Sequence, residues 1–217
     1  MVIEIVSDIV CPWCFIGKRR LERALSLVGR QDVQVQWKAF ELNPDAPKEG
    51  LNRLEYRARK FGSPAYAKQL EARVAGAGAE EGIDFRFDRI DRVPNTLDAH
   101  RLIWLAGRDG GQDALVEGLF RAYFLDGEDV GKTEVLKRIA AQSGLDSSRV
   151  NELLNGDLGR NEVLTEEREA HSRGVNGVPA FLIGGMPVAS GAQKPELLAS
   201  VFGPALEHCS LEDGGCP

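Results

Sequence analysis

Two thiols three positions apart, in Cys11-Pro12-Trp13-Cys14, are the residues of this 217-residue chain best placed to do chemistry. They follow an apolar run, Val2-Ile3-Glu4-Ile5-Val6, and open a segment of helical periodicity. Residues three apart share one helix face, so Cys14 reaches Cys11 and the pair can close a small disulfide ring. Cys11, ahead of the first turn, can face a second molecule. The unpaired N–H groups and partial positive charge of a helix start favour its thiolate. Pro12 suits the first helical position, where no N–H is required. The chemistry that follows is thiol–disulfide exchange, with Cys11 as nucleophile and Cys14 as resolving thiol. A zinc site needs about four ligands, which the neighbouring sequence does not supply. His100, His171 and His208 lack metal spacing, so no metal is expected.

The remaining cysteines, Cys209 and Cys216, lie in a tail containing Ser, Gly and Asp. Three readings stand open for them. They staple the tail, they are idle thiols, or they form an auxiliary redox pair that exchanges with Cys11–Cys14. A short loop closes at modest entropic cost, which makes the relay physically easy.

Residues 2–7 read as a buried strand, and a helix from Pro12 to about Val28 carries Leu21, Leu25 and Val28 on one stripe before Gly29. Val33-Gln34-Val35-Gln36-Trp37 alternates strictly and reads as a second strand running on to Phe40. Strand, helix, strand in this order is a βαβ unit with parallel pairing. From Asn43-Pro44 to Gly174 the β signal nearly vanishes. Ser63-Pro64 opens one helix, and Asn95-Thr96 caps another; helices over 114–125, 133–144, 147–154 and 159–173 follow. The β signal returns at Ala180-Phe181-Leu182-Ile183, turns at Gly184-Gly185 and continues as a hairpin strand over Met186–Ala189. Pro195 starts a last helix. The fold class is therefore α/β: a βαβ half over 1–43, an all-helical insertion over 44–174, a ββα half over 175–205 and a tail over 206–217. Lys18-Arg19-Arg20 reads as a solvated helix face, Trp37 and Trp104 as core. The Gly127–Thr133 segment is a capping loop, because a phosphate loop follows a strand and this one follows a helix.

A net charge of −6 disfavours nucleic acid as a partner, since phosphate binding needs a basic surface. No apolar run approaches the ~20 residues of a membrane span. Met1 leads straight into the first strand without a basic leader, so the cytoplasm is the expected compartment. There, cysteines are more often catalytic or redox-sensing than structural.

The order βαβ then ββα, with CxxC at the start of the first helix, resembles the thioredoxin arrangement, and the helical insertion resembles its DsbA-like branch. Ser7-Asp8-Ile9-Val10-Cys11-Pro12-Trp13-Cys14 is similar to the active-site entry of FrnE-like DsbA-family oxidoreductases. Phe40-Glu41-Leu42-Asn43-Pro44, Asn95-Thr96 with Ala99-His100, and Gly174-Val175-Asn176-Gly177-Val178-Pro179-Ala180-Phe181 resemble further motifs of that group, in the same order up to about residue 203. Taken alone, Val178–Pro179 would be trans, as most X–Pro bonds are; the resemblance implies cis, with Pro179 against the CxxC. It implies a protein disulfide oxidase, reductase or isomerase. Substrates would meet an exposed Trp13 and the Val178 backbone, with His100 near the cleft. It implies no bound cofactor, with glutathione as a co-substrate or a thioredoxin-type protein as reductant. The related 2-hydroxychromene-2-carboxylate isomerases and kappa-class glutathione transferases supply the alternative: a glutathione-dependent isomerase or transferase of small aromatic or polyketide substrates, which needs no dithiol.

Overall fold

A computed structural model describes residues 2–29 and 33–211, with side chains through Gly203. Strand β1 (Val2–Ser7) pairs in parallel with β2 (Gln34–Ala39) and antiparallel with β5 (Ala180–Ile183), and β6 (Met186–Ser190) completes the order β2-β1-β5-β6. β1 is almost continuously apolar because both its faces are covered. Ile3 and Ile5 enter the main core with Phe15, Phe181 and Phe202, whereas Val6 packs on the other face with Phe40, Ala170 and Leu182. The first face is covered by α1 (Pro12–Leu27) and α9 (Pro195–Leu211), the second by α8 (Arg160–Ser172). β2 ends one residue short of the expected Phe40, whose N–H still donates to the Ser7 carbonyl at 3.1 Å.

The insertion holds α2 (Arg53–Phe61), α3 (Pro64–Ala79), α4 (Leu97–Asp109), α5 (Gln112–Arg121), α6 (Thr133–Gln142) and α7 (Ser147–Asn155), besides α8. It is helical except for a two-residue ladder between β3 (Leu51–Asn52) and β4 (Arg92–Val93). That ladder is too short to leave a periodic signal. Helix α2 escaped the sequence reading for another reason: its few apolar residues, Leu54, Ala58 and Phe61, stand among charged ones, and none is fully buried. Its Asn52 cap accepts the Glu55 N–H at 3.1 Å. At the start of α4 the capping is done by Asn95, which accepts the Leu97 N–H at 3.1 Å, and not by Thr96. Helix α9 continues past residue 205, so the backbone of Cys209 is helical. The Cys209 side chain and all of Cys216 lie outside the described residues.

The basic cluster is buried rather than solvated. Lys18 is 4% and Arg20 8% exposed. Lys18 donates to Asp113 at 3.0 Å, and Arg20 to Glu81 at 2.8 Å and to the Ala192 carbonyl at 2.7 Å. Buried charges survive only when paired, and these pairs tie α1 to α5, the turn after α3 and the loop before α9. Trp37 is core as expected; Trp104 is only half-buried, lying against Gly159. At φ +80°, with a Cβ that would stand 2.8 Å from the Trp104 ring, position 159 accepts only glycine.

The open edge of β2 is sealed by side chains of the insertion. The Trp37 N–H donates to Gln112 Oε1 at 3.0 Å and Gln112 Nε2 returns a bond to the Trp37 carbonyl at 3.1 Å. The Ala39 N–H donates to Glu166 at 3.1 Å and the Glu41 N–H to Glu167 at 2.7 Å. A strand edge blunted in this way cannot template pairing with another chain. Gln112→Ala strands two buried backbone groups and is expected to cost about 1–3 kcal/mol, read as a lower urea midpoint at unchanged m-value. An unshifted midpoint would mean that water replaces the amide.

Candidate active site

The CxxC turn is held in place by Asp8, immediately after β1 and 0% exposed. Its carbonyl accepts the Cys11 N–H at 3.0 Å. Its carboxylate accepts the Leu42 N–H at 2.7 Å, beyond the end of β2, and meets His100 Nε2 of α4 at 3.3 Å. One buried residue, through its carbonyl and its carboxylate, thus fastens the first half of the sheet, the cysteine loop and the insertion to one another. Cys11 is the N-cap of α1, in extended conformation, and Pro12 follows as the first helical residue.

Both thiols are free. Cys11 is 5% exposed and its Sγ donates to the Val178 carbonyl at 3.6 Å. The Val178–Pro179 bond is cis. Gly17, one turn further along α1, leaves room for this proline: a Cβ there would come within 2.9 Å of Pro179 Cγ. Cys14 is fully buried behind Cys11. Burial pushes its thiol well above the usual range, and the neighbouring Cys11 adds to the shift. Trp13 stands at the rim, 38% exposed. Cys11, Pro12 and Trp13 open onto a pocket of about 420 Å³ floored by Val74, Phe87, Ile90 and Phe124.

The structure therefore gathers Cys11, Cys14, Trp13, Val178 and Pro179 at one place. His100 is not with them on the surface: it is 1% exposed and sits behind the dithiol against Asp8, so it does not line the cleft. Its contact with Asp8 makes it a satisfied core histidine. Among the described residues no cluster of His, Cys, Asp and Glu could hold a metal ion. Sequence reasoning gave no role to Asp8 or Glu41, although both stand inside the quoted motifs. A carboxylate amid Ala39-Phe40-Glu41-Leu42 was the available sign of burial.

Glu41 is 8% exposed and its Oε2 has no hydrogen-bond partner among the described residues. Burial pushes its carboxyl up to about 7; the His100 charge opposes this, while Glu167 and Asp8 reinforce it. Burial alone would lower His100, but the hydrogen bond and charge of Asp8 outweigh it and raise the imidazole above its usual range. Both groups hold protons more tightly in the folded chain than in the unfolded one. The stability they contribute is full below the unfolded values and is lost as pH rises through the folded ones. For Glu41 this window runs from 4.5 to about 7 and spans about 3 kcal/mol. Glu41→Gln is expected to flatten the decline, gaining stability over wild type at pH 7.5 but not at pH 5. Urea titrations at the two pH values check this, and an unchanged pH slope would contradict it.

A mixed four-stranded sheet, a dithiol opening α1 and a cis-proline loop facing it define a thioredoxin-like fold carrying a helical insertion. The DSBA-like thioredoxin domain profile matches residues 2–203, and the chain belongs to that family of DsbA-like oxidoreductases. A structure described as a probable DsbA oxidoreductase of Streptomyces coelicolor is 34% identical, covering 100% of this chain and 92% of the other, with a TM-score of 0.86. The uncharacterized protein YwbO of Bacillus subtilis is 26% identical over 196 residues, 88% of this chain and 91% of that protein. A 2-hydroxychromene-2-carboxylate isomerase, 16% identical with a TM-score of 0.72 over 98% of this chain and 100% of the other, shares the fold. No helix among the described residues is long and apolar enough to cross a membrane.

Proposed function

We propose that this chain is a thiol–disulfide oxidoreductase acting on protein thiols and disulfides in the cytoplasm. The observation that carries the reading is the arrangement of the two sulfurs: Cys11 at the mouth, bonded to the Val178 carbonyl, and Cys14 buried behind it with its proton held tightly. In the reducing direction the Cys11 thiolate attacks one substrate sulfur, the substrate S–S bond breaks and a mixed disulfide forms. The departing thiolate takes a proton from water. Cys14 then gives up its proton and attacks Cys11 Sγ, releasing the second substrate thiol and leaving the Cys11–Cys14 disulfide. A protein dithiol is oxidised by the same steps reversed. No bound cofactor is required; glutathione or a thioredoxin-type protein regenerates the dithiol. Trp13 and the Val178 backbone contact the substrate, the latter through strand-like pairing. Cys209 and Cys216 act as an auxiliary pair relaying oxidation to the active-site dithiol.

The test is reduction of insulin by dithiothreitol, comparing wild type with Cys11→Ser, Cys14→Ser and the Cys209→Ser/Cys216→Ser pair. A rate that collapses with Cys11→Ser supports the reading, and a further drop in the tail variant supports the relay. The pocket beside Cys11 favours one other reading, a glutathione-dependent isomerase or transferase of small substrates. Tight glutathione binding, with activity surviving Cys14→Ser, would put that reading first.

A further inference from the structure

The pocket beside Cys11 has a charge that the chain as a whole does not. The protein carries −6, yet Arg53, Arg57, Lys60 and Arg73 line this one cavity against a single carboxylate, Glu71. Arg53 and Arg57 both pair with that carboxylate, so two guanidiniums share one negative charge. Burial and, less strongly, the adjacent Arg53 charge hold Arg57 below its usual range despite Glu71. Lys60 and Arg73 are exposed and have no carboxylate partner among the described residues. Beneath this rim the floor is apolar and aromatic, formed by Phe87, Phe124 and Ile90. At about 420 Å³ the cavity is within the ~300–1,000 Å³ range of small-molecule sites, and Cys11 forms part of its wall.

Building on the oxidoreductase reading, we propose that this pocket takes a low-molecular-weight disulfide whose halves each carry a carboxylate on an aromatic-sized apolar body. The ring fills the floor, the carboxylate meets the cationic rim, and the sulfur is presented to Cys11. Attack by the Cys11 thiolate breaks the substrate S–S bond, forms a mixed disulfide and releases one carboxylate-bearing thiol, which takes its proton from water. Cys14 loses its proton, attacks Cys11 Sγ and releases the second. The substrate gains two electrons and becomes two thiols; the Cys11/Cys14 dithiol loses two and becomes a disulfide, which a dithiol reductant restores.

The full-length chain bearing Cys209→Ser/Cys216→Ser, so that Cys11 and Cys14 are its only thiols, is oxidised in single turnovers by two aromatic probes. One is 5,5′-dithiobis(2-nitrobenzoate), with two carboxylates; the other is 4,4′-dithiodipyridine, uncharged at pH 7.5. Adding Lys60→Gln/Arg73→Gln is expected to lower the anionic-to-neutral rate ratio about tenfold. Raising the salt should lower the same ratio in the unsubstituted pocket, a readout that needs no rim variant to fold. A ratio that moves with neither the substitutions nor salt overturns the proposal while leaving the oxidoreductase reading intact. If neither probe oxidises the protein through Cys11, both readings fall. Insulin reduction by the same variants separates a free small molecule from an acidic protein segment. Should it fall in step with the anionic probe, the rim docks protein chains and the small-molecule proposal is wrong.

Discussion

Cys11→Ser is expected to lower insulin-disulfide reduction at least about a hundredfold, to the rate of dithiothreitol alone, because it removes the only sulfur at the mouth of the site among the described residues. Cys14 cannot take over: it is 0% exposed and burial raises its thiol well above the usual range, so little thiolate is available to attack. Cys14→Ser should fail differently. Cys11 still attacks, but nothing resolves the product, and the protein accumulates as a mixed disulfide with its substrate. That species appears on non-reducing gels as a band that dithiothreitol dissolves. The two variants together test the assignment of roles rather than the mere need for sulfur. Equal trapping by both variants would mean that the nucleophile has been misassigned.

Phe15→Ala is expected to be among the most destabilising single substitutions in the chain. Phe15, 1% exposed and adjacent to Cys14, stacks on Phe120 of α5 at 5.1 Å and meets Phe85 edge-on at 6.1 Å. Phe124, in the π-turn Ala122–Asp126 that follows α5, lies 6.4 Å away. One ring on α1 thereby joins the thioredoxin half to the insertion. Removing it forfeits the buried area and leaves a cavity between helices that cannot both collapse into it, at a cost of about 3–5 kcal/mol. Against a total stability of roughly 5–15 kcal/mol, and at about 2–4 °C per kcal/mol for a chain this long, the melting temperature should fall by about 6–20 °C. Phe15→Leu keeps most of the volume and should lose much less. If both variants melt within about 2 °C of wild type, the aromatic cluster is not what holds the two parts together.

What the sequence determined by itself was local or strictly periodic. The Cys11-Pro12-Trp13-Cys14 turn needs only three-residue spacing and a proline at the first helical position. The βαβ and ββα halves show in the alternation of Val33–Trp37 and the apolar runs of β1 and β5, because strand and helix periods are imposed by burial of one face or two. Helices with an apolar stripe, α3 to α8, were legible for the same reason. Helix α2 was not, since its three apolar residues are outnumbered by charged ones and none is fully buried.

Only the tertiary structure decided matters that depend on what distant segments bring together. Lys18 and Arg20 look solvated in sequence and are buried in the fold, because their carboxylate partners Asp113 and Glu81 arrive from the insertion. His100 shares a motif with the site yet faces Asp8 from behind it. Glu41 is an ordinary carboxylate in sequence; burial beside Glu167 and Asp8 is what raises it. The cationic pocket is assembled from α2, which carries Arg53, Arg57 and Lys60, from α3, the segment between α3 and β4, and the π-turn; the charge can be read on α2, but the cavity it rims exists only once these elements meet. Spacing along a chain settles which groups can act, but the field and the cavity in which they act are sums over residues far apart in sequence, and only folding sets those distances.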